Sequence, residues 1–148
     1  MIARARRDRL RVRRAVAALE LAILLPFLAF LFVICLDFGR LFYHSLTIAN
    51  CARNGALWAS DPVTRSQSPY ATVQDAALAD ASSLRPALVN SNVSSASGTD
   101  ANGDPFVTVT VTYAFHTITN FPGVASQWDL TRTVQMRTVP TVPSNFPP

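Results

Sequence analysis

The chain has 148 residues, of which 13 are basic and 9 acidic, and its net charge is +4. A chain of that length is long enough for one membrane segment and one small folded domain. The charge is concentrated, since residues 1–14 carry +6 and the remainder −2, which argues against the spread basic surface of a nucleic-acid-binding protein.

The first segment is an arginine run that directly precedes a long apolar stretch. Positive charge on this side of an apolar stretch is typical of a membrane helix whose N-terminus is cytoplasmic. We therefore predict a basic cytoplasmic leader over residues 1–14. Its topology-setting residues are Arg4, Arg6, Arg7, Arg9, Arg11, Arg13 and Arg14.

Residues 15–36 form an apolar run in which Glu20 is the only charge. As a helix the run spans about 33 Å, enough to cross the hydrocarbon core. Signal-peptide cleavage or lipidation at Cys35 is disfavoured, because the run is too long for a signal peptide and Val33 and Ile34 are not small. Twin-arginine export is disfavoured for the same reason of length. We predict a retained single-pass helix.

Two residues are unusual in this run. A carboxylate at the centre of a membrane helix costs about 2.5–3.5 kcal/mol, and less near an end, so Glu20 marks a function or a partner. Pro26 removes one backbone donor, and membrane helices tolerate this better than soluble ones. It predicts a local kink or a site where the helix stretches on packing into an assembly.

The helical pattern continues over residues 37–60, and Asp61 and Pro62 are expected to end it. Its packing stripe is rich in small residues, which predicts close approach of the helix to a small domain. The stripe is Ala52, Gly55, Ala56 and Ala59.

Residues 61–139 are predicted to form that small domain. Residues 62–70 read as a turn-rich connection, with Ser68 and Pro69 as the start of a second helix that stops near Pro86. Ala87, Val89 and Val93 suggest a first strand, and a turn follows over residues 98–105.

Two further strands complete the predicted sheet. Val107, Val109, Val111, Tyr113 and Phe115 alternate with threonines, which predicts a strand with one buried face. After a turn over residues 120–126, a last strand has Arg132 in its apolar face, interpreted as a snorkelling edge residue. The apolar positions of that strand are Trp128, Leu130, Val134 and Met136.

The predicted fold class is therefore α+β: a long transmembrane helix continuing into a domain with a second helix and about three antiparallel strands. Residues 140–148 are proline-rich and are predicted to be a loose tail, or to order against a neighbouring subunit.

The chain shows no recognisable catalytic or ligand spacing. His44 and His116, its two histidines, are expected to be structural or solvent-facing. Cys51 is expected to be a small buried residue, and it lies about 24 Å of helix from Cys35, too far to pair within one chain. We predict no enzyme, no metal, no cofactor and no small-molecule substrate.

Residues 13–60 resemble the N-terminal signature of the TadE-like family, small pilin-like proteins of bacterial tight-adherence (Tad, Flp-type) pilus assembly. The shared features are an arginine pair, an early glutamate, a proline in the apolar run, a charged and aromatic exit, and an alanine-arginine-x-glycine segment. In this chain the signature positions are Pro26, Asp37, Phe38, Gly39, Arg40, Ala52, Arg53 and Gly55.

The resemblance implies a minor pseudopilin or assembly factor of the inner membrane, with its domain outside the cytoplasm. It implies pilin-like subunits and inner-membrane platform proteins as partners. It also implies cleavage by a prepilin-type peptidase, with the junction at Ala15 and Val16, because the family's glutamate is fifth after the cut. Ala15 stands where such substrates have glycine.

Cleavage at this junction would give Val16 a free amine about one helical turn from Glu20, and pairing would offset the cost of the buried charge. An uncleaved chain would leave Glu20 snorkelling towards the arginines as part of a plain anchor. The alternative function is a membrane-tethered extracytoplasmic binding module unrelated to pili.

Overall fold

The computed structural model describes residues 2–118 and 125–139, with side chains from residue 15 onward. Three helices come first in the chain and three strands follow. The helices are α1 (Ile2–Ser60), α2 (Pro62–Gln67) and α3 (Val73–Leu78), and the strands are β1 (Val93–Thr99), β2 (Pro105–His116) and β3 (Gln127–Arg137). The predicted α+β class, with a long apolar helix before three antiparallel strands, is confirmed.

The chain divides into two compact units, Met1–Gly39 and Arg40–Pro148. Helix α1 contributes its first part to one unit and its last part to the other. The C-terminal unit contains α2, α3 and the sheet, and we call it the domain. The predicted leader, tail and segment limits are not tested by this division.

The end of α1 was predicted correctly. Asp61 is the N-cap of α2, where its carboxylate accepts hydrogen bonds from Val63 N at 2.9 Å and Thr64 Oγ1 at 2.7 Å. These bonds hold the pKa of Asp61 below its ordinary value. Because Pro62 cannot donate a backbone hydrogen bond, α1 stops and a new helix starts.

The predicted start of the second helix was wrong. Residues 62–67 are helical rather than a turn-rich connection, and Ser68 is the C-cap of α2. The next helix, α3, begins after Thr72, whose hydroxyl accepts from Asp75 N at 3.1 Å while Asp75 accepts from Thr72 N at 3.1 Å. A threonine with an acid three residues later satisfies two terminal donors at once, which a Ser-Pro pair does not.

The sheet is an antiparallel meander in the order β1-β2-β3. Val93 on β1 faces Val111 on β2, and Val109 on β2 faces Val134 on β3. The predicted alternation along β2 is confirmed, since its valines, Tyr113 and Phe115 are buried on one face. On the opposite face, threonines of β2 and β3 hydrogen bond in pairs, such as Thr110 with Thr133 at 2.9 Å.

The predicted start of the first strand was wrong. Ala87 and Val89 are exposed, Leu88 is buried, and β1 begins only at Val93, after a 3₁₀ turn at Asn90–Asn92. The side chain of Asn92 accepts a hydrogen bond from Val89 N at 3.0 Å. This local bond favours a turn where the apolar alternation suggested a strand.

The turn between β1 and β2 contains Gly103 at φ +85°, a conformation that glycine adopts without strain. Asp100 Oδ1 accepts from Asn102 N and Asp104 N, both at 2.9 Å. These hydrogen bonds hold the pKa of the Asp100 carboxyl below its ordinary value, and the bond from the Asp104 backbone has the largest effect. Arg137 at the end of β3 pairs with both aspartates, at 3.2 and 3.1 Å, and so ties the third strand to this turn. The turn predicted over residues 120–126 lies mostly outside the described residues, as does the tail.

The core of the domain lies between α1 and the buried face of β2. On α1 the buried side chains are mostly small, whereas those of β2 are branched or aromatic. Cys51 is fully buried as predicted, and burial raises the pKa of its thiol to about 11. The fully buried α1 residues are Ile48, Cys51, Ala52 and Ala56.

Candidate functional site

The predicted leader and cleavage junction lie within α1. The seven leader arginines lie on its first turns, and their side chains are outside the described part of the structure. Ala15 and Val16 are both exposed. Val16 and Glu20 are four residues apart on one helix, which places their side chains on the same face about one turn apart.

The apolar run presents large uncovered side chains on every face of the helix. Helix α1 contains a stretch long and apolar enough to cross a membrane, and no part of its most apolar window is buried. A helix needs about 20 predominantly apolar residues to cross the hydrocarbon core of a bilayer. The predicted span, residues 15–36, lies before Leu41, from which α1 packs one face against the domain. The uncovered large side chains here include Leu19, Leu21, Ile23, Leu24, Leu25, Phe27, Leu28 and Phe32.

Glu20 is exposed on this stretch. No hydrogen bond or ion pair reaches it from the side chains that the structure describes. In hydrocarbon such a carboxylate needs either a cationic partner or access to the headgroup region. Pro26 lies within α1, which continues helical on both sides of it.

In the exit motif, Arg40 contacts the end of β2. The Arg40 guanidinium donates to the backbone oxygen of His116 at 3.4 Å and lies 5.3 Å from the centroid of the Phe115 ring. Arg40 therefore fixes α1 to the end of β2 through a hydrogen bond and a cation–π contact. Of the other members, Asp37 is half-buried, Phe38 is exposed, and Gly39 has open space where a Cβ would be.

The alanine-arginine-x-glycine segment is mainly a packing device. Ala52 is fully buried. A Cβ added to Gly55 would lie 3.1 Å from Ala77 Cβ and 3.2 Å from Val109 Cγ1, so only glycine lets α1 approach α3 and β2 this closely. Arg53, between them in the chain, is exposed.

The domain portion of α1 also has an uncovered face, which we call the outer face: Phe42, Tyr43, Leu46 and Leu57. Phe42 is 65% and Leu46 67% exposed. The helix thus directs small residues to the core and large apolar ones to the surroundings, the reverse of a soluble amphipathic helix. Uncovered apolar area of this kind marks a surface for protein or lipid.

His44 is buried in an aromatic cluster between α1 and β2, and its ring centroid also lies 5.9 Å from that of Tyr43. Its ring centroid lies 5.2 Å from that of Tyr113 and 5.5 Å from that of Phe115. Its Nδ1 has no hydrogen-bond partner among the described residues. Burial, and then the nearby Arg40 charge, lower the pKa of His44 below its ordinary value of 6.5. The neutral imidazole is therefore a packing group here.

Acidification should destabilise the domain through His44. The unfolded chain binds a proton near pH 6.5 and the folded chain only at lower pH, so the contribution is complete above about 6.5 and is lost as the pH falls below it. Urea unfolding in detergent, followed by tryptophan fluorescence from about pH 7.5 to about pH 5, measures this. His44→Phe should flatten the fall, whereas replacing the exposed His116 with glutamine should keep it. A wild-type profile retained in His44→Phe would contradict the assignment.

Among the residues that the structure describes, no three histidine, cysteine or acidic side chains group as a metal site. Cys35 is exposed and Cys51 is buried, and both are free thiols.

Two features of the domain were missed from the sequence. Arg132 is exposed, as an edge residue would be, but its guanidinium donates to Ser45 Oγ on α1 and so links β3 to the helix. A pocket also lies beside Trp58 and Tyr70. The link between Arg132 and Ser45 could have been suspected from a single basic residue in an apolar strand face. No local sequence pattern indicates the pocket.

A family model described as TadE-like protein matches residues 15–57. The match covers the apolar run with Glu20, the exit motif and the alanine-arginine-x-glycine segment of α1, and it ends before α2. No curated protein and no solved structure matches this chain. The TadE-like resemblance drawn from the sequence is thereby confirmed over these residues.

Proposed function

Because residues 15–57 match the TadE-like family, we propose that this protein is a membrane-anchored pseudopilin or assembly factor of a Tad, Flp-type pilus or a related secretion system. The single observation that carries the proposal is this match over an apolar helix with one early glutamate. The role proposed is structural and non-enzymatic.

The proposed location is the bacterial inner membrane, with residues 1–14 in the cytoplasm and the domain on the other side. The arginine run supports this orientation through the positive-inside bias. The uncovered apolar side chains of residues 15–36 support the span. The domain would then be held at the membrane surface by one helix.

The proposed partners are other pilin-like subunits and the proteins of the inner-membrane platform. The outer face supports this, because Phe42 and Leu46 are large, apolar and uncovered on the turns that follow the span. Packing of such side chains against another helix would remove apolar area from water. The same surface would be costly on a protein that acts alone.

The proposed role of Glu20 is to pair with the amine created when the chain is cut between Ala15 and Val16. That amine lies about one turn from the carboxylate, in the same chain or in a neighbouring copy. Pairing offsets the cost of placing each charge in hydrocarbon. Glu20 would thereby set the register of neighbouring helices.

The test begins with the intact mass and N-terminal sequence of the protein isolated from its native membrane. We expect a chain that begins at Val16. Glu20→Gln, which keeps the shape and removes the charge, should lower the association constant of the copies, followed by cross-linking at several protein densities, about tenfold, the change that accompanies about 1.4 kcal/mol. Leu21→Ala, a neighbouring substitution that keeps the carboxylate, should leave most of the cross-linked fraction.

A chain that still carries Arg4 to Arg14, together with normal cross-linking of Glu20→Gln, would contradict this proposal. That result would describe an uncleaved anchor. It would favour the membrane-tethered binding module instead.

A further inference from the structure

Three residues of the outer face lie a short way beyond the predicted span. They are Phe42, Tyr43 and Leu46, with exposures of 65%, 54% and 67%, and we call them the span-side patch. Phe42 follows Leu36, the last residue of the predicted span, by six residues of the same helix, or about 9 Å of helical rise. Large apolar side chains therefore remain uncovered just past the point where the span is expected to leave the hydrocarbon.

The uncovered side of α1 changes from apolar to polar beyond this patch. The next exposed residues on the same side are Asn50 and Arg53, at steps of four and three residues after Leu46. Leu57 is exposed again one turn further on, beyond this polar interval. The apolar surface that begins near the span thus ends between Leu46 and Asn50.

The patch carries no charge that would have to stay in water. No acidic or basic residue lies between Arg40 and Arg53 in the chain. The Arg40 guanidinium is held against β2, 5.3 Å from the Phe115 ring centroid. The nearby Thr47 hydroxyl donates to the backbone oxygen of Tyr43 at 3.0 Å, so this polar group is satisfied within the helix.

The distances along α1 place the patch at the level of lipid headgroups. Each headgroup layer adds about 5–8 Å to the hydrocarbon core. At a tilt of about 40°, the upper end of the range for membrane helices, Phe42 lies about 7 Å beyond Leu36 along the bilayer normal and Leu46 about 11 Å. Side chains on the underside of a helix tilted by about 40° lie about 3 Å lower still. A helix that leans towards its outer face thus brings Phe42 into the layer and Leu46 to its outer margin.

We propose that, before any partner subunit binds, α1 leans so that Phe42, Tyr43 and Leu46 lie in the outer headgroup layer of the bilayer. Aromatic rings suit this layer because they cover apolar area while a polar edge or hydroxyl reaches water. The limit between Leu46 and Asn50 is what a layer of fixed thickness predicts. This placement rests on the membrane anchoring proposed above and adds a second contact with lipid, made by the domain.

The experiment measures lipid contact residue by residue in the full-length protein. The protein carries Cys35→Ala and is reconstituted at low density in vesicles of phosphatidylcholine and phosphatidylglycerol, so that copies lie far apart. Cys51 is buried, and the protein without a further substitution checks that Cys51 takes up no nitroxide label. One further cysteine is then introduced and labelled in each protein. The labelled substitutions are Ile23→Cys, Phe42→Cys, Leu46→Cys and Arg53→Cys.

Power-saturation electron paramagnetic resonance gives the collision rate of each label with oxygen and with a water-soluble nickel chelate. We expect the ratio of oxygen to nickel collisions to be about threefold higher at residues 42 and 46 than at 53, because oxygen dissolves in apolar lipid and the chelate stays in water. Ile23, in the predicted span, should give the highest ratio.

A second set of variants asks whether the apolar side chains hold this face to lipid. With the label at Tyr43→Cys, the ratio should be as high as at Phe42. Adding Phe42→Ser and Leu46→Ser to that protein should lower the ratio to the value at Arg53. An unchanged ratio in this serine variant would overturn the proposal, because the patch would not be what determines the position of the helix.

Three other results would also overturn it, and each points to a different cause. A high ratio at Ile23 with equal, low ratios at residues 42, 46 and 53 would place the patch in water and leave the anchor intact. Few collisions with either reagent at residues 42 and 46 would show that protein, such as a second copy, covers the patch. Nickel access at Ile23 would contradict the membrane anchoring itself.

Discussion

Phe115→Ala should reduce the free energy of unfolding of the domain by about 3–5 kcal/mol, the usual cost of removing a buried phenylalanine ring. The Phe115 side chain is 1% exposed and contacts the rings of His44 and, through a cation–π geometry, Arg40. Domains of this size have a free energy of unfolding of about 5–15 kcal/mol, so this substitution should remove a large part of it. Urea unfolding in detergent, followed by tryptophan fluorescence, measures the loss.

The matched control is Phe42→Ala, the same substitution on the outer face of α1. Because Phe42 is 65% exposed, its loss should change the unfolding free energy by less than about 0.5 kcal/mol. The same variant should reduce cross-linking between copies if the outer face packs on a neighbour. Equal destabilisation by the two variants would show that Phe42 is covered within the domain and that the outer face is misassigned.

Gly55→Leu should lower the unfolding free energy by about 2 kcal/mol. A Cβ at this position already comes within 3.1 Å of Ala77 Cβ, and Ala77 has no longer side chain that could move aside. Overpacking typically costs about 1–3 kcal/mol, and four added carbons belong at the upper end, against about 1 kcal/mol gained in helix propensity. The same unfolding measurement gives the net effect.

Gly39→Ala is the control for this second prediction. Nothing lies within 4 Å of a Cβ built on Gly39, so only the gain in helix propensity remains. That variant should be as stable as the wild type or more so. Wild-type stability of Gly55→Leu would show that α1 can move away from α3 and β2 without cost, contrary to the close packing described.

The elements that sequence predicted well are those with a long, regular pattern. The alternation from Val107 to Phe115 identifies β2 and its buried face, because a strand has a period of two and one face is in the core. The length of the apolar run and the spacing of three and four residues along the small-residue stripe identify α1. The Asp61–Pro62 pair marks its end because proline cannot continue the hydrogen-bond ladder.

The errors fall where a short local bond decided the structure. Thr72 begins α3 because Asp75 completes a reciprocal cap, a pairing of two side chains that the apolar pattern does not report. Val89 is turned outward because Asn92 bonds to its backbone. Both are single-residue effects that override a weak periodicity.

In the candidate site, too, some residues were predictable from the sequence and others were not. Glu20 and the arginine run are visible in the sequence because charge beside or within an apolar stretch is itself the signal. The structural work of Gly55 and Arg40 depends on β2, which is far away in the chain, so their partners required the fold. The pocket beside Trp58 and Tyr70 depends on a hydrogen bond from the Trp58 indole to the backbone oxygen of Tyr70, and such a bond leaves no periodic pattern in the sequence.

The placement of Cys51 has a consequence for the order of events during synthesis. One wall of the core is made early, on α1, while the opposite wall on β2 is translated only after α2, α3 and β1. Until β2 arrives, the thiol of Cys51 and its neighbours on α1 have no cover from the sheet. Closing the sheet over α1 therefore both completes the core and covers the Cys51 thiol, so this thiol is buried only in chains whose sheet has formed.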